Sequence, residues 1–357
     1  MRRWLALAIG GVLALVALEA GVRVVAPQPL GAARTPPLLR GGLTQPGNHP
    51  VRTREYTASV HVNPAGFVDR DWKDPPRHPL VIVIGDSFVQ AAQVGLDEGF
   101  GRQLEARLQA GGYPDAEVRS LGVPGAGTAT ALGVLRQYAL PMEPDLVVLG
   151  FLVANDVLNN HPLLEGKDDK PFYALRDGAL APIDAPTALV SMGWAWPHSQ
   201  AWRLIARTLA SQRVTARKLA LGKGIPLDLR VHDPHPDPVW DEAWAVTDAL
   251  VAAMAGESAT GGARFGTLLF PDGPTSNARD RDRLVATWPA AATWDLTRAQ
   301  ARAQTMAAAH GPTCDLLPAL RDEPAYYLPF DGHWTAAGHA SAAAAAAACV
   351  TPWLSAK

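Results

Sequence analysis

"VIVIGDSFVQ" (residues 81–90) decides the fold: four β-branched residues in a row are stopped by Gly85-Asp86-Ser87. A continuous apolar run, without the alternation of a half-exposed strand, predicts a strand covered on both faces, as in a parallel sheet. Ser87, at its end, has two readings. It is a nucleophile presented by the strand, or a residue that caps the turn that follows.

Working outward, similar strands are predicted within "AEVRSLGV" (116–123), "PDLVVLGFL" (144–152) and "ARFGTLLFP" (263–271), with "PTCDLLPAL" (312–320) as a weaker fifth. Helical spacing intervenes at 98–112, where Phe100, Leu104 and Leu108 share a face, and at about 128–140, 238–256, 296–310 and 335–349. Strands alternating with helices predict an α/β fold, a three-layer sandwich around a parallel sheet of about five strands. Between the third and fourth strands a long insertion (about 158–260) breaks the alternation and is expected to cap one end of the sheet. Within it, 170–182 reads as a hairpin turning at Asp177-Gly178, and 201–224 as a basic amphipathic helix.

The 357 residues, 48% hydrophobic and 18% charged, fit one large globular domain plus an apolar segment. A net charge of -2 gives no electrostatic reason to expect nucleic acid as a partner. Cys314 and Cys349 are too few and too far apart for a zinc ribbon. They read as two unpaired buried thiols, with a single bridge as the alternative.

At the N-terminus, Arg2-Arg3 precedes an apolar run from Trp4 to Leu18. As a helix, residues 4–22 rise roughly 28 Å, close to the ~30 Å of bilayer hydrocarbon, and the paired arginines predict a cytoplasmic N-terminus with the rest exported. No small-x-small cleavage site follows. Residues 1–26 are therefore expected to be a membrane anchor or signal segment, 27–50 a linker rich in Pro, Gly and Arg, and 51–357 the folded domain, facing the periplasm or cell surface.

In parallel α/β sheets the site forms at the carboxyl ends of the strands. There the chain places Gly85-Asp86-Ser87, then "GVPGAGT" (122–128), then "VANDV" (153–157), and near the C-terminus "FDGHW" (330–334). A hydroxyl, glycine amides, an Asn amide and an Asp/His pair suffice for acyl transfer through a tetrahedral intermediate.

These four blocks resemble those of the SGNH or GDSL hydrolases, from about Asn63 to Ala344 apart from the insertion. "VNPAGFVDRDW" (62–72), the apolar N-terminus and "DGHW" are similar to a membrane-anchored bacterial branch. The resemblance implies a flavodoxin-like fold and a serine esterase. It gives Ser87 as nucleophile, His333 as base and Asp331 as its partner, with an oxyanion hole from Ser87, Gly125 and Asn155 and no metal or other cofactor. Two departures stand out. Asp331 and His333 are separated only by Gly332, where two residues are commoner, and Val153-Ala154 replaces the usual Gly before Asn155. The expected substrate is an acylated small molecule or carbohydrate, with acetyl esters of envelope carbohydrate foremost. An O-acyltransferase, a lipase or thioesterase, and a non-catalytic carbohydrate-binding protein are the alternatives.

Other clusters take simpler readings. "RVHDPHPDP" (230–238) reads as a solvated loop rather than a metal site, and Trp194, Trp196, Trp202, Trp240 and Trp244 as packing of the cap rather than sugar stacking. Arg203, Arg207, Arg213, Arg217 and Lys218 read as a solvated helix face rather than a lipid contact. His339 is the competing base, without an acid two or three residues before it.

Overall fold

The structure is a computed structural model that describes residues 2–26, 45–165, 170–183 and 198–355. Arg2–Val25 (α1) is helical and exposes Val12, Leu13, Leu15, Val16 and Leu18. Among the described residues, no helix is long and apolar enough to cross a membrane. Most of the expected linker, residues 27–44, lies outside the described residues. Its end differs from expectation, because Gly47–Arg52 (β1) pairs antiparallel with Thr57–Val62 (β2). Alternate residues of β2, Ala58, Val60 and Val62, are buried with Val68. That period of two was masked by the Pro, Gly and Arg around it.

Five parallel strands follow: Leu80–Gly85 (β3), Glu117–Gly122 (β4), Leu146–Leu152 (β5), Arg264–Phe270 and Thr313–Asp315. A hairpin of Phe172–Arg176 (β6) and Ala179–Ile183 (β7) lies between the third and the fourth, so the fourth and fifth are β8 and β9. The sheet order is β4-β3-β5-β8-β9, every neighbour parallel, so the first strand in sequence, β3, lies between the second and third and the order reverses there. This is the flavodoxin-like order, and the expected three-layer α/β fold is observed.

Phe100–Ala110 (α2) and the C-terminal helix cover one face through Phe100, Leu104, Leu108, Ala342, Ala346 and Val350. The other face carries Thr128–Val134 (α3), continued as a π-turn through Ala139, and Val153–Asn159 (α4). Within the insertion, Gln200–Gly222 (α5) begins against α1, where Glu19 accepts from Ser199 Oγ and from the N–H groups of Gln200 and Ala201. Val239–Thr260 (α6) was expected to belong to the cap; instead Trp240, Trp244, Leu250, Val251 and Met254 bury against the sheet. A parallel β5-to-β8 connection requires a crossover helix, and α6 supplies it. Ala278–Thr287 (α7), Arg298–Ala308 (α8) and Ala336–Ser355 (α9) complete the fold.

The outer edge of β4 is closed by carboxylates. Glu105 Oε2 accepts from Val118 N at 2.7 Å and Asp69 Oδ2 from Ser120 N at 2.9 Å, which leaves these edge N–H groups no freedom to pair with another strand. Asp69 thereby locks the "VNPAGFVDRDW" segment onto the sheet.

The hairpin β6–β7 turns at Asp177-Gly178, with both φ values positive (52° and 78°), as a type I′ turn requires. The cysteines correct the sequence reading. Cys314 on β9 and Cys349 on α9 form a disulfide, their Cα atoms 6.3 Å apart, because the last helix runs back across the short edge strand. "RVHDPHPDP" is corrected too: Arg230 is buried in an ion pair with Asp233, His232 is buried with Nε2 2.9 Å from Asp272 Oδ2, and the stretch beyond them is more exposed. No group of three or more potential ligands gathers as a metal site among the described residues. Trp194, Trp196 and the side chains of Arg203, Arg207, Arg213 and Arg217 lie outside the described residues.

Candidate active site

β3 ends at Gly85, and Asp86 begins a short helical turn over Ser87–Gln90 by accepting Phe88 N at 2.9 Å. The turn crosses close over β4: a Cβ at Gly122 would sit 2.2 Å from Gln90 N. Glycine at 122 is therefore a packing requirement, and so is Gly127, whose Cβ would meet Asn159 and Asn160 at 2.7 Å. Gly125 differs from both. It takes φ 64° in the turn after β4, and its carbonyl accepts from Asn159 Nδ2 at 3.0 Å and from Lys170 Nζ. Lys170 also pairs with Glu165 at 3.0 Å.

Ser87 Oγ lies 2.6 Å from His333 Nε2, and His333 Nδ1 lies 2.5 Å from Asp331 Oδ1. A carboxylate only accepts, so Nδ1 carries the hydrogen and Nε2 is left to accept from the serine hydroxyl. The hydrogen bond from His333 holds the Asp331 carboxyl below the usual carboxylate range. The short Asp-Gly-His spacing works because Gly332 takes φ 82°, turning the chain so that the acid folds back on the base. The loop closes on itself, with Leu328 N donating to His333 O at 2.8 Å and Gly332 N to Leu328 O at 3.0 Å. Trp334, fully buried against Phe88, Phe100 and Phe270, anchors its far end. The Phe88 ring lies 4.8 Å from the imidazole.

Asn155 sits in the first turn of α4, directly after β5, where the expected Gly is absent. Its Nδ2 donates to Asp86 Oδ2 at 3.0 Å, and its buried Oδ1 has no hydrogen-bond partner. One of its two amide hydrogens is thus given to Asp86, and the second is the one an oxyanion would receive. Asp156 holds the loop, accepting Leu152 N at 2.5 Å. Burial raises Asp86, partly offset by Phe88 N, Asn155 and His333, while burial and then the charge of Asp86 push Asp156 well above the carboxylate range. Two carboxyls enclosed together favour holding one proton over two charges.

Ser87, Asn155, Asp331 and His333 line one cleft of about 440 Å³, walled by carbon from Phe88, Leu152, Leu229, Leu284, Trp288 and Leu328. Gly125 does not line it; it stands in the neighbouring turn. His339, the competing base, is buried in α9 with both ring nitrogens unpartnered. Burial and then the charge of His333 push its pKa down to about 3.

Sequence reasoning passed over Asp86, which belongs to the quoted triplet and holds Asn155, and Phe88, one residue after the serine.

No family model matches the chain, and no curated protein matches it. The chain does resemble solved structures. TesA is 16% identical, with 76% of this chain and 98% of that chain covered at a TM-score of 0.42. The lipase Lip_vut3 from a goat rumen metagenome is 12% identical, with 76% and 96% covered at 0.44. A carbohydrate acetylesterase family member from Sinorhizobium meliloti is 14% identical, with 78% and 99% covered at 0.37. These are likenesses only, and the chemistry below rests on the geometry above.

Proposed function

We propose that this chain is a serine esterase of the SGNH type. The observation that carries the reading is the contact series Ser87 Oγ, His333 Nε2, His333 Nδ1, Asp331 Oδ1, at 2.6 and 2.5 Å, opening into a cleft at the carboxyl ends of the strands. His333 takes the Ser87 proton as Oγ attacks the ester carbonyl carbon. Asp331 keeps the imidazole in the required tautomer and stabilises the imidazolium. The carbonyl oxygen, now an oxyanion, is received by the N–H of Ser87 and the Asn155 amide, the two expected donors that line the cleft. Collapse expels the alcohol, which takes the proton back from His333, and water cleaves the acyl-enzyme by the same route. A sugar hydroxyl in place of water would make the site an O-acyltransferase.

The substrate reading shifts from the sequence expectation. An acetyl group fills a small part of about 440 Å³, and the wall is mostly apolar, although Asp228, Asp272, Asp280 and Arg283 also line it. This favours a longer acyl or aryl group over acetyl. A non-catalytic sugar-binding role has no use for a serine in contact with an Asp-supported imidazole. The test is a chain-length series of nitrophenyl esters with wild type and Ser87→Ala. Hydrolysis that rises beyond acetate and vanishes in S87A supports the reading, and turnover that survives in S87A contradicts it.

We also infer that the folded part lies outside the cytoplasm, tethered through residues 1–26. The Cys314–Cys349 disulfide suits an oxidising compartment, and α1 exposes Val12, Leu13, Leu15 and Val16 after the paired arginines. A reporter fused after residue 50 that is active only in the cytoplasm would contradict this topology.

A further inference from the structure

The Asp331–His333 loop is held from outside by a segment that no sequence block marks. The β1–β2 hairpin turns at Thr53–Tyr56, where Thr53 N donates to Tyr56 O at 2.9 Å and Thr53 Oγ1 accepts from Glu55 N at 3.2 Å and Tyr56 N at 3.1 Å. This fixed turn aims the Glu55 carboxylate at the loop. Oε1 accepts Phe330 N at 2.9 Å and Oε2 accepts Asp331 N at 2.6 Å.

Two consecutive amides on one carboxylate form a charge-assisted, two-point attachment. The neighbouring ring is clamped as well: Phe330 is 73% exposed, yet guanidiniums stand over it, Arg54 at 5.4 Å and Arg283 of α7 at 5.1 Å. Arg283 also donates to the Pro329 carbonyl. The hairpin and α7 thus grip the tip of the loop from two sides.

We propose that Glu55 is a positioning residue for the acid–base pair: through the N–H of Asp331 it sets where the Asp331 carboxylate meets His333 Nδ1. It contacts neither Ser87 nor the imidazole, so its effect passes through the place of Asp331. Gly332 makes this support necessary, because a glycine beside the acid leaves the loop backbone without steric guidance. A misplacement on the order of 1 Å at such a pair costs roughly 100-fold in rate. The proposal rests on the esterase reading.

The experiment uses the full-length protein with Glu55→Ala and Glu55→Gln, measuring kcat and KM on a nitrophenyl ester and amide hydrogen exchange across residues 328–333. Expected for E55A are faster exchange confined to Phe330 and Asp331, a kcat lower by about 10- to 100-fold, and a KM within about twofold. E55Q keeps one acceptor oxygen and should lose several-fold, and it replaces E55A if alanine unfolds the chain. Wild-type kcat in both folded variants overturns the proposal and leaves the esterase reading intact. A wild-type chain that neither turns over esters nor takes a fluorophosphonate on Ser87 removes both.

Discussion

Replacing His339 with leucine separates the two candidate bases by their effect on stability at low pH. His339 is buried in α9 with neither ring nitrogen partnered, packed edge-on to Trp334 at 5.4 Å, and its pKa is pushed from 6.5 to about 3. Between those values the unfolded chain binds a proton on this residue that the folded chain refuses. Stability is therefore complete above pH 6.5 and falls as the pH drops toward 3, by about 1.4 kcal/mol per unit. From about pH 8 to about pH 5 the loss is roughly 2 kcal/mol. Leucine has similar volume and no proton to bind. It also removes two unpaired buried nitrogens, so it should be at least as stable at the higher pH. Urea unfolding of wild type and H339L at both pH values gives the difference of differences, in which other titrating groups cancel. About 2 kcal/mol in favour of H339L at low pH, with ester turnover kept, is the expected result. An equal pH dependence in the two proteins would refute the buried-neutral assignment, and loss of turnover in folded H339L would restore His339 as the base.

Asp331→Asn should leave the fold intact and lower kcat by about 10³- to 10⁴-fold, because the amide no longer enforces the tautomer. Because His333 holds Asp331 below the usual carboxylate range, a pH–rate profile should show no loss assignable to this acid until the pH falls below about 4. Asn155→Ala should cost on the order of 10²- to 10³-fold in kcat with little change in KM, which steady-state kinetics will read. Reducing Cys314–Cys349, which are 35 residues apart, should remove about 3 to 4 kcal/mol, seen as a lower Tm with reductant and no shift in a Cys-to-Ala double variant.

How much was legible in the sequence follows from where the physics is local. The buried run 81–84 and the strands at 146–152 and 264–270 announce themselves by composition, since a strand covered on both faces is mostly apolar. Only three residues of the weak fifth strand pair, and Leu317–Leu320 is already a helical turn. α6 was assigned to the cap because the sequence shows where alternation stops but not which helix must carry the chain back to the sheet. Ser87, Asn155, Asp331 and His333 could be named because each lies in a recognisable block at a strand end. Glu55 could not, because one carboxylate in a polar turn gains its role only from a loop 275 residues away. The Cys pair was misread for the same reason, since 35 residues of separation do not reveal that β9 and α9 cross.

The most direct test of the account is the site of covalent labelling by a fluorophosphonate, located by peptide mass spectrometry in wild type, H333A and H339L. The account predicts a single adduct on Ser87 in wild type and H339L, with labelling slowed by orders of magnitude in H333A. A folded wild-type chain that takes no adduct on Ser87, or one labelled equally fast without His333, would contradict it.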